Sequence, residues 1–191
     1  MGLENFEQII NDNYYYVDKT GLISELLRNG GMVNLFTRPR RFGKTLNMSM
    51  IEHFFSIERD QSIFDGLEIS KDTKLCEEYM GKYPVISISL KGINAATYKD
   101  AFDFAVQIMK EVAATMQFLL ESKQLSEYDK SEYQKLLDDN MSEAVFCSSL
   151  KKLSILLEKH YGTKVVLLID EYDVPLAKAF ENGYYDQMIF L

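Results

Sequence analysis

Met32-Val33-Asn34-Leu35-Phe36-Thr37-Arg38-Pro39-Arg40-Arg41-Phe42-Gly43-Lys44-Thr45-Leu46 joins a short apolar stretch, an arginine-rich turn and the start of a helical pattern. Met32 to Phe36 predicts a strand. From about Gly43, apolar residues recur at helical spacing (Leu46, Met50, Ile51, Phe54, Phe55), so a helix is expected to begin there and bury that face. Gly43-Lys44-Thr45 therefore stands between a strand and a helix. In that setting glycine lets backbone approach an anion, and the free N–H groups and partial positive charge of the helix start attract it. Lys44 is expected to reach terminal phosphates and assist catalysis, and the Thr45 hydroxyl to ligate Mg²⁺. A Gly-Lys-Thr triplet alone is a weak signal; the strand–turn–helix context gives it weight.

The candidate nucleotide-binding stretch is Arg40-Arg41-Phe42-Gly43-Lys44-Thr45-Leu46. It departs from the usual phosphate-loop pattern G-x-x-x-x-G-K-[ST], because Arg38 stands where the first glycine belongs. Pro39 stiffens the turn. Arg40 and Arg41 either contact phosphate oxygens, which suits the guanidinium fork, or are solvated surface charges. The residues themselves leave both readings open.

A second constellation follows much later. Val165-Val166-Leu167-Leu168-Ile169 is the most apolar run, and its lack of polar alternation predicts a parallel strand covered on both faces. It runs straight into Asp170-Glu171, and the C-terminal end of such a strand is where α/β proteins bind ligands. Asp170 is expected to hold Mg²⁺ through its water shell, and Glu171 to polarise the water attacking the γ-phosphate. Taken alone, the pair is equally a strand leaving the core. A phosphate loop followed in order by an apolar strand ending in Asp-Glu is much harder to obtain by accident.

Outward from these two motifs, the pattern is that of an α/β layered protein. Asp18 is expected to cap a helix carrying Leu22, Ile23, Leu26 and Leu27, stopped by Asn29-Gly30-Gly31. Residues 57–83 read as a loop-rich excursion with one small helix, and Val85 to Leu90 as a strand. Helices are expected at about 98–122 and 142–160, with a short one within 123–139, whereas residues 1–17 show no clear period. The length of 191 residues favours one domain. A net charge of −8 argues against a general nucleic-acid coat or an anionic-membrane binder, whose footprint is basic. No apolar run reaches membrane-spanning length, and Cys76 and Cys147 show no metal or redox spacing, so a reducing cytoplasm is expected. His53 and His160 lack a second ligand nearby in sequence, and no zinc site is expected.

The chain resembles the bacterial AAA-ATPase-like family of additional-strand P-loop ATPases. The resemblance rests on Tyr15-Tyr16-Val17-Asp18-Lys19-Thr20, Arg38-Pro39-Arg40-Arg41-Phe42-Gly43-Lys44-Thr45, Tyr83-Pro84-Val85-Ile86-Ser87 and Leu168-Ile169-Asp170-Glu171-Tyr172-Asp173-Val174-Pro175-Leu176. It implies a P-loop NTPase fold of the RecA/AAA type, a parallel sheet flanked by helices, with residues 1–191 as the N-terminal part of a single domain. It makes Arg38 an inherited variant, Lys44 and Thr45 the phosphate and metal residues of a Walker A loop, and Asp170 and Glu171 a Walker B pair. Tyr172 and Asp173 belong to the same signature with no role assigned. ATP and Mg²⁺ are the implied cofactors.

Longer members continue into further strands and a PD-(D/E)xK nuclease-like domain, and no such motif is found here. In related ATPases a strand after the acidic pair inserts beside the phosphate-loop strand; the chain reaches Leu191 without one, and so looks truncated before the later strands. The sheet is then expected either to pair Val33–Phe36 with Val165–Ile169 or to leave open backbone edges. Weak or absent hydrolysis by this chain alone is the corresponding expectation. The alternative to an ATPase is a nucleotide-binding but non-hydrolysing switch, interaction module or truncated remnant. A protein partner or self-association stays open, no membrane is expected, and nucleic acid is disfavoured. A GTPase is disfavoured because no Asn-Lys-x-Asp motif occurs.

Overall fold

The computed structural model describes residues 4–37 and 42–189. The chain divides into two compact units, residues 1–85 and 86–191. In the first, Phe6–Asn11 forms α1, Gly21–Asn29 α2, Lys44–Phe55 α3 and Thr73–Tyr79 α4, with 3-10 turns at Gln61–Phe64 and Glu68–Lys71. α3 appears where the periodicity put it. Its buried face is Met50, Ile51, Phe54 and Phe55, with Leu46 half-buried. α1 packs on α3. Phe6 is fully buried and meets the rings of Tyr16 and Phe64, while Phe54 meets Phe64 edge-on at 5.6 Å.

Three expectations for this unit are corrected, and a fourth, the loop-rich excursion over 57–83 with one small helix, holds. The helix α1 forms where no period was legible, because one turn capped by the Asn5 side chain needs only Phe6 and Ile9 to bury. Asp18 is not the cap of α2, which starts after Thr20; its carboxylate instead accepts from the Thr20 N–H at 2.8 Å. The excursion over 57–83 holds α4 and two 3-10 turns, anchored to the end of α3 by Gly81 N–H to Phe54 O at 2.8 Å and Tyr83 N–H to Phe55 O at 2.9 Å. Met32–Phe36 forms no strand. Its apolar side chains find no cover: Met32, Val33 and Leu35 are exposed. Strand propensity is realised only against a neighbouring strand, and among the described residues this segment has none.

The second unit contains all but the first residue of β1 (Val85–Ser89), then α5 (Tyr98–Ala114), α6 (Glu127–Gln134), α7 (Glu143–Tyr161), β2 (Val166–Asp170), α8 (Asp173–Asn182) and α9 (Tyr185–Met188). β1 and β2 form a two-stranded parallel sheet flanked by helices, the coarse α/β architecture expected. The expected helix over 98–122 breaks at Ala114 and resumes as a 3-10 turn over Gln117–Glu121. Ile86 and Ile88 of β1, Met109 and Ala113 of α5, Tyr133 of α6 and Leu153 and Leu157 of α7 form its core. The Tyr133 hydroxyl donates to the Ala113 carbonyl at 2.6 Å, and burial pushes its pKa up to about 12.

β2 is covered differently from expectation. Leu168 is buried, but Leu167 and Ile169 are 43% and 39% exposed, so only one face is well covered. An uninterrupted apolar run states what could be buried; the elements present decide what is. Of the two outcomes expected for the sheet, the second holds among the described residues: β2 pairs with β1, and Val33–Phe36 forms no ladder.

Candidate functional site

The site elements lie at two local structures, one in each unit. In the first, Gly43 is the N-cap of α3 with φ 74°, ψ 24°, a left-handed conformation that glycine adopts without Cβ strain. Lys44 and Thr45 are the first two residues of the 12-residue helix. Among the described residues no side chain caps the Gly43 end, and the first turn holds no acidic residue. The helix start thus keeps its partial positive charge uncompensated by a carboxylate of its own, the condition for receiving an anion. Phe42 is 59% exposed beside the turn, and Leu46 faces inward in part. Arg40 and Arg41, together with Arg38 and Pro39, lie outside the described residues.

A residue without an assigned role also reaches this loop. The Lys19 ammonium lies 3.9 Å from the position a Cβ on Gly43 would take. The only signal in sequence was its place inside the Tyr15-Tyr16-Val17-Asp18-Lys19-Thr20 block, because nothing in residue spacing links it to Gly43. His53 is not part of the site: it is buried, with Nδ1–H donating to the Ser49 carbonyl at 2.7 Å and Nε2 3.2 Å from the Glu7 carboxylate.

In the second unit, β2 ends at Asp170 and α8 starts at Asp173, so Glu171 and Tyr172 make the whole connection. That sharp turn is reached by placing Glu171 at φ 53°, an uncommon conformation for a residue with a side chain. The Glu171 N–H donates to the Asp170 carboxylate at 2.9 Å, which ties the two acidic residues into one local structure. Both are half-buried. Pro175 falls in the first turn of α8, where a missing N–H costs no helical bond. Strain in a strand-to-helix turn bearing two carboxylates is the kind found where backbone geometry serves a site.

A glycine-started helix carrying Lys and Thr, followed by a strand ending in Asp-Glu, is thus realised locally at both places. The family model described as a predicted AAA-ATPase matches residues 1–190. The chain belongs to this AAA-ATPase-like family. The AAA-ATPase-like chain is 28% identical over 183 residues to an uncharacterized protein in the vnfD 5′ region of Azotobacter chroococcum mcd 1. That alignment covers 92% of this chain and 29% of the relative, so the chain spans less than a third of the relative's length. No solved structure matches the chain. Among the described residues no helix is long and apolar enough to cross a membrane.

Proposed function

We propose that this AAA-ATPase-like chain binds Mg-ATP and belongs to a P-loop NTPase domain of the RecA/AAA type, of which residues 1–191 are the N-terminal part. The observation that carries the reading is the left-handed Gly43 at the start of α3, followed directly by Lys44 and Thr45 with no acidic residue in the first turn. A phosphate group accepts hydrogen bonds from such N–H groups, and the glycine leaves room for its approach. Lys44 holds the terminal phosphates as a point charge, and the Thr45 hydroxyl ligates the magnesium ion. Phe42 and Leu46 flank the loop, and Arg40 and Arg41 add donors to it. The magnesium ion, held by Thr45 and Asp170, would supply neutralisation of phosphate charge. Asp170 takes the metal's water shell and Glu171 orients and deprotonates the attacking water, roles supported by their place at the end of β2 and by the family. The free thiols of Cys76 and Cys147 suit a reducing compartment such as the cytoplasm.

The test is a thermal-shift titration with Mg-ATP on the wild type and on Lys44→Ala. Ligand at about 100 times its dissociation constant stabilises the folded state by about 2.7 kcal/mol. Stabilisation of the wild type that disappears in Lys44→Ala supports the phosphate loop. A well-folded wild type that does not respond overturns it. Phosphate release that is lost in Glu171→Gln while binding survives separates an ATPase from a nucleotide-binding module that does not hydrolyse.

A further inference from the structure

The Tyr16-Val17-Asp18-Lys19-Thr20 block has a structure of its own that the nucleotide reading does not use. Tyr16, Asp18 and Thr20, which surround Lys19, are each tied down. The Tyr16 hydroxyl accepts from the Lys19 N–H at 3.2 Å and donates to Met50 Sδ on α3 at 3.3 Å. One Asp18 oxygen accepts from both the Thr20 N–H, at 2.8 Å, and the Thr20 hydroxyl, at 2.7 Å. Its other oxygen accepts from the Glu68 N–H at 2.7 Å. Thr20 is fully buried, and its hydroxyl oxygen accepts from the Ile69 N–H at 3.0 Å. The Asp18 carboxylate is therefore spent on backbone and hydroxyl donors. Burial pushes it up, but those hydrogen bonds and the Lys71 charge outweigh this and hold it below the usual carboxylate range.

Lys19 itself is exposed, and no salt bridge to it occurs among the described residues. Its ammonium lies close to Gly43, the N-cap at the positive end of α3. A cation held at a helix N-terminus is repelled by the terminus unless an anion joins them. We propose that Lys19 is a second phosphate-contacting lysine of the nucleotide site, presented to the Gly43 turn by the locked Tyr16–Thr20 segment. This rests on the nucleotide reading of that turn. Tyr16, Asp18 and Thr20 are then positioning residues, and they fix the backbone from which the long, flexible lysine reaches.

The experiment measures dissociation constants for Mg-ATP by titration calorimetry on the wild type, Lys19→Ala, Lys19→Arg and Lys44→Ala, with melting temperatures of the nucleotide-free proteins. Lys19→Ala is expected to weaken Mg-ATP binding about tenfold, the scale of one charge-assisted contact at an exposed site. Lys19→Arg should recover most of the loss, and the melting temperature should not change, since no bond to the ammonium occurs among the described residues. An unaltered dissociation constant in Lys19→Ala, with binding lost in Lys44→Ala, overturns the proposal and leaves the nucleotide reading standing. A lowered melting temperature in Lys19→Ala, with no recovery in Lys19→Arg, shows a structural lysine and overturns it too. Absence of Mg-ATP binding in the wild type overturns the nucleotide reading itself, and this proposal with it.

Discussion

Thr20→Val tests whether the Asp18–Thr20 lock contributes to the stability of the first unit. Valine has nearly the volume of threonine, so the change removes a hydroxyl without opening a cavity. Two bonds are lost: the one donated to Asp18 at 2.7 Å and the one accepted from the Ile69 N–H at 3.0 Å. Asp18 keeps its Thr20 and Glu68 N–H donors and is exposed on its outer side. Solvent therefore replaces the lost hydroxyl, and that bond counts for about 0.5–1 kcal/mol. The Ile69 N–H is different, because Ile69 and Thr20 are both fully buried and water does not reach it. An orphaned buried donor costs about 1–3 kcal/mol, partly offset by the methyl group that replaces the hydroxyl. The net loss is about 2 kcal/mol.

Thr20→Ser makes the complementary change, keeping both bonds and losing a buried methyl, at about 1 kcal/mol. Urea unfolding followed by far-ultraviolet circular dichroism gives both values, and the two-unit chain requires a fit that does not assume a single transition. Valine should cost more than serine. If serine is the more damaging, packing rather than hydrogen bonding holds this segment, and the lock that positions Lys19 does not exist as described.

Glu171→Gly should leave stability unchanged or raise it by up to about 1 kcal/mol, because glycine accepts φ 53° without strain, yet under the proposed function it should remove whatever phosphate release the wild type shows. Thermal melts compared with Glu171→Ala, which keeps the strain, check the first half. Asp129 is held below the usual carboxylate range chiefly by the hydrogen bond from the Lys159 ammonium, then by the Ser126 hydroxyl. A lowered folded-state pKa contributes stability that is fully present above the unfolded value of about 4 and disappears as pH falls through the folded one. The wild type should thus exceed Asp129→Asn in urea midpoint at pH 7, and the gap should narrow on acidification toward about pH 3.

Much of the candidate site was legible from residues alone. A glycine before a helical apolar period marks a helix start, so Gly43, Lys44 and Thr45 were placed at the head of α3 with no knowledge of the rest. Val166 to Asp170 likewise formed a strand that hands the chain to a helix through Glu171. These are local properties: periodicity, glycine's access to positive φ, and charge at an element's end.

What required the tertiary structure was whatever depends on a neighbour distant in sequence. Among the described residues Met32–Phe36, with the composition of a strand, has no partner to make it one, and Leu167 and Ile169 are apolar enough for a second covering layer that these residues do not supply. Asp18 looked like a helix cap because acidic residues before helices commonly are. Only the fold shows that its second oxygen takes the Glu68 N–H, beyond α3 in the chain. Lys19 comes to Gly43 for the same reason. A sequence states which groups can bond and where the backbone can turn, but which distant groups meet is decided by how the helices pack.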